Sequence, residues 1–273
     1  MKVLITGSNS GFGLLSALGF ARAGHEVVAT MRNPAKGDGL RAVIAAEGLP
    51  IEIRQLDVTD EASVASAIAD PAELDAVVNN AGFEVQSAME LVDDELLDRQ
   101  LDTNVRGPMR VIRAVLPTWR QRGSGVIVNV SSVAGFVAVP YGGAYAASKH
   151  ALEAMTEALH YEVSTYGLRV ALVEPGRFDT AFHANIVTPS GWEASAYHER
   201  AVRFRAALLS LDGDASPADP QLVADAIILA ATDDATPLRT LVGADAQLIA
   251  SVRAQGSFED FETTMRAALN WFD

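Results

Sequence analysis

Seven short apolar runs recur along the chain, with alanine- and leucine-rich segments between them: KVLIT (2–6), EVVAT (26–30), IEIRQL (51–56), DAVVN (75–79), GVIVNV (125–130), LRVALV (168–173) and RTLVG (239–243). Such runs, apolar at neighbouring positions and not only at every second one, read as strands that must be covered on both faces. Strands of that kind, each followed by a helix-length segment, predict an α/β fold. In it a doubly wound parallel sheet of about seven strands lies between two helix layers. With 273 residues and 49% hydrophobic content, one large core accounts for the chain, and residues 1–273 are expected to form a single domain. Residues 178–220 differ in kind, with SGW, DGDASPADP and scattered aromatics but no strand-like run. They are expected to be an insertion over the sheet, either a lid on a substrate site or a helical excursion that only packs.

Composition excludes several chemistries. The net charge is −14, from 21 basic and 35 acidic residues, with no basic cluster, so a nucleic-acid partner is disfavoured. The chain has no cysteine, which removes disulfides, thiolate metal sites and cysteine nucleophiles; redox chemistry would need a bound cofactor. His25, His150 and His160 lack metal-ligand spacing, and no metal is expected. The opening MKVLITGS is too short for the apolar core of a signal peptide, and no run of 18 apolar residues follows. The expectation is a soluble cytoplasmic protein with no membrane partner. VDDELLDR (92–99) reads as a charged helix with a solvated face.

The first strand runs into VLITGSNSGFG, which places Gly7, Gly11 and Gly13 before a helix with the spacing GxxxGxG. Residues without a Cβ permit the tight turn and let backbone N–H groups approach a pyrophosphate, while the helix N-terminus adds positive potential. Dinucleotide sites of this type usually carry a carboxylate at the end of the second strand, to bond the ribose 2′-hydroxyl. Here that end reads VVATMRNP, and Arg32 stands where a guanidinium would meet the 2′-phosphate of NADP. In LDVTD, Asp57 is placed to accept from an adenine amino group or to cap the next helix, a role that Thr59 or Asp60 fits better.

The stretch YGGAYAASKHALEAMTEALHYE (141–162) puts Tyr145 and Lys149 on one helical face in a chain with only three lysines. Tyr141 has a tyrosine, not a lysine, four residues later. Together with TGSNSGFG (6–13), DV (57–58), NNAG (79–82), Asn104 in LDTNVRG, NVSS (129–132) and EPGRFDT (174–180), this stretch makes residues 1 to about 180 resemble the short-chain dehydrogenase/reductase family. The family's serine lies thirteen residues before its tyrosine, which here is Ser132.

The resemblance implies a Rossmann-type oxidoreductase that moves a hydride between NADP(H) and a carbonyl or secondary alcohol. An NAD(H)-dependent enzyme of the same fold, or a non-catalytic dinucleotide-binding regulator, is the alternative. Tyr145 would be the general acid/base, Ser132 would bond the substrate oxygen, and Asn104 would hold a water on a proton path to Lys149. An ammonium and a nicotinamide positive charge beside a phenol favour the phenolate, so Lys149 and the bound cofactor together are expected to lower the pKa of Tyr145 from its ordinary ~10. The implied cofactor contacts are Gly7, Ser10, Gly11, Phe12, Gly13, Arg32, Asp57, Val58, Asn80, Ala81, Gly82, Tyr145, Lys149, Pro175, Gly176 and Thr180, with the proline–glycine turn cradling the nicotinamide. Relatives commonly pair through their two long helices, so a homodimer or homotetramer is expected. Phe178, Phe182, Trp192, Tyr197 and Phe204 lean toward a bulky apolar ketone as the small-molecule substrate.

Overall fold

The computed structural model describes residues 1–210 and 218–269. All seven expected strands form: β1 (Lys2–Ile5), β2 (Glu26–Met31), β3 (Ile51–Gln55), β4 (Ala76–Asn79), β5 (Gly125–Val130), β6 (Leu168–Pro175) and β7 (Arg239–Val242). They make one parallel sheet in the order β3-β2-β1-β4-β5-β6-β7. The helices are α1 (Gly11–Arg22), α2 (Asp38–Glu47), α3 (Glu61–Ala67), α4 (Asp94–Leu101), α5 (Gly107–Arg122), α6 (Gly143–Ser164), α7 (His198–Ser210), α8 (Gln221–Thr232), α9 (Ala244–Ala254) and α10 (Phe258–Leu269). Among the described residues, no helix is long and apolar enough to cross a membrane.

Successive strand residues point to opposite faces, and the apolar runs therefore feed two cores. Val3 and Ile5 of β1 join Phe20 of α1 and Ile227 of α8, while Leu4, between them, joins Val111 and Trp119 of α5 and Leu159 of α6. Each such aliphatic side chain contributes roughly 1.5–3 kcal/mol on burial, which is why a sheet this apolar needs helices on both sides. Trp119 is fully buried and still satisfies its indole, which donates to the Pro71 carbonyl at 3.0 Å.

Local chemistry sets the helix ends. The Asp93 carboxylate accepts from Leu96 N at 2.8 Å and starts α4, and Asp60 accepts from Ala62 N at 3.0 Å and starts α3. Between α4 and α5 the chain widens into a π-turn, Asp102–Arg106, that carries Asn104. Turns of this kind concentrate at functional sites.

Because β1 lies between β2 and β4, the winding direction reverses there and opens a crevice at the carboxyl ends of the strands. Residues 178–210 leave β6 as short 3₁₀ turns (His183–Asn185 and Trp192–Ala194) followed by α7. A single bridge pairs Val187 with Val85 just beyond β4, and Trp192, Ala201 and Ala88 form a small core with Tyr141, Leu91 and Tyr197 packed on it. The segment thus packs on the loops that follow β4 and precede α6. Residues 211–217 of the expected insertion, which include most of DGDASPADP, lie outside the described residues.

Candidate active site

The glycine loop is held from β4. Thr6 Oγ1 accepts from Asn80 N and Ala81 N, both at 3.0 Å, and the Asn80 side-chain amide donates to the carbonyls of Thr6 (2.9 Å) and Gly7 (3.1 Å). This clamp leaves no space at Gly13, where a Cβ would lie 2.4 Å from Gly7 O and 2.5 Å from Asn80 Nδ2. Gly7 and Gly11 have φ of +71° and +56°, the left-handed region that favours glycine. Unlike α3 and α4, α1 begins with no side-chain cap at Ser10 and no acidic residue in its first turn. Among the described residues no side chain caps its first N–H groups, and this fits a phosphate.

Around that loop the predicted contacts gather in chain order. Phe12 meets Phe178 edge to face at 5.7 Å, and Thr180 stands over the loop, its Cβ 3.7 Å from where a Gly11 side chain would begin. Arg32 is exposed just past β2, and among the described residues its guanidinium has no protein partner. Asp57 uses Oδ1 on Thr59, accepting from its N–H at 3.0 Å and its hydroxyl at 2.7 Å, while Asp60 takes the helix cap. Val58 is buried beneath it, and Ala81 and Gly82 are half-buried after β4.

The catalytic group assembles from β5, α6 and the π-turn. Ser132 follows β5, where its hydroxyl acts on the Tyr145 phenol and favours the phenolate; its Oγ accepts from Ala134 N at 3.2 Å and approaches the Pro175 carbonyl at 3.4 Å. Lys149 Nζ donates to Val130 O at 2.8 Å and lies 5.6 Å from the centre of the Tyr145 ring. Asn104 is buried. Its amide donates to Phe83 O (3.0 Å) and Ser148 Oγ (3.1 Å), and Ser148 in turn donates to the Tyr145 carbonyl at 2.7 Å. Asn104 therefore braces the first turn of α6 from across the crevice.

In the protein alone the Tyr145 phenol is pushed up: burial disfavours its anion, the Glu84 carboxylate adds to that, and the Ser132 hydroxyl opposes it only in part. Lys149 shares the burial and comes down to about 8, with Glu153 working against the fall. Burial is the largest cause for both groups. Burial also raises the Glu84 carboxyl, and Arg205 opposes it.

Behind the catalytic helix lies a second titrating group. Glu153, one turn after Lys149, and Glu174, at the end of β6, are both buried and share Arg239 of β7, whose Nε lies 3.2 Å from Glu153 and 3.5 Å from Glu174. Burial and the neighbouring Glu153 push Glu174 up to about 8.

Sequence reasoning missed Glu84, two residues beyond NNAG, and also Thr6, Ser148 and Asp245. The available signal for Glu84 was a carboxylate in the loop five residues after an apolar strand. Asp245 gave none, because its partners lie 68 residues away in sequence. Of the five aromatics after β6, Phe178, Trp192 and Phe204 are core residues, while Phe182 lies 6.0 Å from the Tyr145 ring.

A family model described as short chain dehydrogenase matches residues 1–190. A Bacillus subtilis (strain 168) protein named uncharacterized oxidoreductase YusZ is 36% identical over 277 residues, covering 97% of each chain. A 3-ketodihydrosphingosine reductase of Bacteroides thetaiotaomicron is 37% identical over 187 residues, which are 67% of this chain and 66% of that one. The crystal structure of a gluconate 5-dehydrogenase from Burkholderia cenocepacia J2315, in complex with NADP and tartrate, matches with a TM-score of 0.74 at 26% identity, over 90% of this chain and 95% of that one.

Proposed function

The chain belongs to the short-chain dehydrogenase family, whose members are oxidoreductases, and from that premise we propose that it is an NADP(H)-dependent enzyme interconverting a ketone and a secondary alcohol. The observation that carries this reading is the convergence of Ser132, Tyr145 and Lys149 at the carboxyl end of β5, beside a glycine loop with an uncapped helix. NADP(H), when bound, supplies or takes up the hydride.

The protein's own groups do the rest. The Tyr145 hydroxyl gives its proton to the substrate oxygen in reduction and takes it back in oxidation. Ser132 donates a hydrogen bond to that oxygen as charge develops on it. Below pH 8 the Lys149 ammonium holds its proton and stabilises the phenolate left behind. The loop glycines with Ser10 and Phe12 hold the pyrophosphate, Asp57 and Val58 the adenine, Asn80 to Gly82 the adjoining ribose, and Pro175, Gly176 and Thr180 the nicotinamide.

Arg32 reads the 2′-phosphate, and the NADP bound by the Burkholderia structure supports that choice. The relative named a 3-ketodihydrosphingosine reductase, together with Phe182 beside Tyr145, supports a bulky apolar ketone as substrate. The test follows reduced-nicotinamide absorbance with NADPH and NADH against a panel of apolar ketones. Wild-type protein should favour NADPH, and Arg32→Ala should shrink that preference by on the order of 10- to 150-fold, the value of one charge-assisted contact. A ratio that stays within about twofold removes Arg32 from the reading, and no turnover with either cofactor points to the non-catalytic regulator.

A further inference from the structure

The turn after β6 is pinned by a residue far along the chain. Pro175 pairs with Val242 in the parallel ladder of β6 and β7, and Gly176 N donates to Val242 O at 2.8 Å. Beyond Val242 the chain turns at Gly243, with φ +108°, and enters α9, whose second residue is Asp245. Its carboxylate folds back onto the turn, and Oδ2 accepts from the Arg177 N–H at 2.7 Å. The fit leaves no slack: a Cβ on Gly176 would lie 2.1 Å from Asp245 Oδ1 and 2.4 Å from Oδ2. A Cβ on Gly243 would lie 2.6 Å from the same Oδ1. On its other side the Arg177 guanidinium donates to the Leu208 carbonyl of α7 at 2.5 Å, so one turn joins the sheet, α9 and the segment over the crevice.

We propose that Asp245 is a positioning residue: by holding the Arg177 N–H and filling the space beside Gly176, it fixes the turn that receives the nicotinamide end of the cofactor. This rests on the cofactor reading above, in which the loop after β1 holds the phosphates and the turn after β6 holds the nicotinamide. The two ends are built on different strands and can be perturbed separately. A change at Asp245 should therefore be felt by the nicotinamide end alone.

Two probes distinguish the ends: NADPH, and 2′-phospho-ADP-ribose, which lacks only the nicotinamide. In titration calorimetry, Asp245→Ala should weaken NADPH by about tenfold, the scale of one lost hydrogen bond to a charged acceptor, and leave 2′-phospho-ADP-ribose within about twofold. Asp245→Asn should restore most of the NADPH affinity, because its carboxamide oxygen can still accept from Arg177 N. If Asp245→Ala does not fold, Asp245→Ser, whose shorter side chain cannot reach the Arg177 N–H, carries the same test. Equal weakening of both probes, or of neither, overturns the proposal while leaving the cofactor reading intact. Wild-type protein that binds neither probe overturns both.

Discussion

At the carboxyl ends of β1, β4, β5 and β6 the crevice is built from backbone groups and short polar contacts, whereas residues 178–210 close over it with isolated turns and aromatic edges. The first construction is directional. Thr6 serves three partners at once, and Asn80 ties two carbonyls across the switch point between β1 and β4. The second is tolerant: Trp192 meets Tyr141 and His198 edge-on at 6.1 and 5.8 Å, contacts that a differently shaped side chain can approximate. The contrast teaches a division of labour. On the proposed reading, the chemistry belongs to the end held by converging hydrogen bonds, and substrate choice to the segment whose contacts are mainly aromatic edges.

The largest effect should come from the directional side. Tyr145→Phe removes the proton donor and almost no volume, so kcat should fall by roughly 10²- to 10⁴-fold while NADPH affinity holds. A variant that keeps more than about a tenth of wild-type kcat would break the assignment of chemistry to this end of the crevice.

The tolerant side should respond differently. Trp192 is 6% exposed, and Trp192→Ala should cost about 3 kcal/mol of local stability through the cavity it leaves. Hydrogen exchange across 178–210 should rise and KM for a bulky ketone should increase, while kcat on a small ketone changes little. If turnover of the small ketone collapsed as it does in Tyr145→Phe, the two regions would not be separable.

The smallest effect is a pH trend. Glu174 titrates at about 8 in the fold against an ordinary 4.5, so between those values the folded chain keeps a proton that the unfolded chain gives up. Its contribution to stability is present at acid pH and is lost as pH rises through that window. The Tm should decline from pH 5 to pH 8, and Glu174→Gln should flatten the decline. An unchanged slope would move the titrating proton elsewhere in the cluster.

Much of this could be read beforehand, for physical reasons. Strands buried on both faces announce themselves as apolar runs, and all seven lie within two residues of their expected ends. The glycine loop, Ser132 and the tyrosine–lysine pair are local spacings, and local spacings survive in one dimension. Asp245 on Arg177 and Asn104 on Ser148 are long-range side-chain contacts with no periodic trace. The burial of Tyr145 was out of reach for a related reason: a sequence counts the charges near a phenol but does not reveal how much water has been removed from it.

The clamp between β1 and β4 also governs how the protein can be made. Thr6 and Val78 are hydrogen-bonded across 72 residues, so a growing chain completes β1, β2 and β3 long before the second neighbour of β1 exists. In the sheet β1 is covered on its second side only by β4, so a chain translated only as far as β3 lacks the strand that covers that edge of Val3, Leu4 and Ile5. The glycine loop waits as well, because the amide that holds its carbonyls belongs to Asn80. A chain that has been translated through β3 but not yet through β4 therefore leaves one edge of β1 without the strand that covers it, and a pause in translation there leaves that edge uncovered for longest.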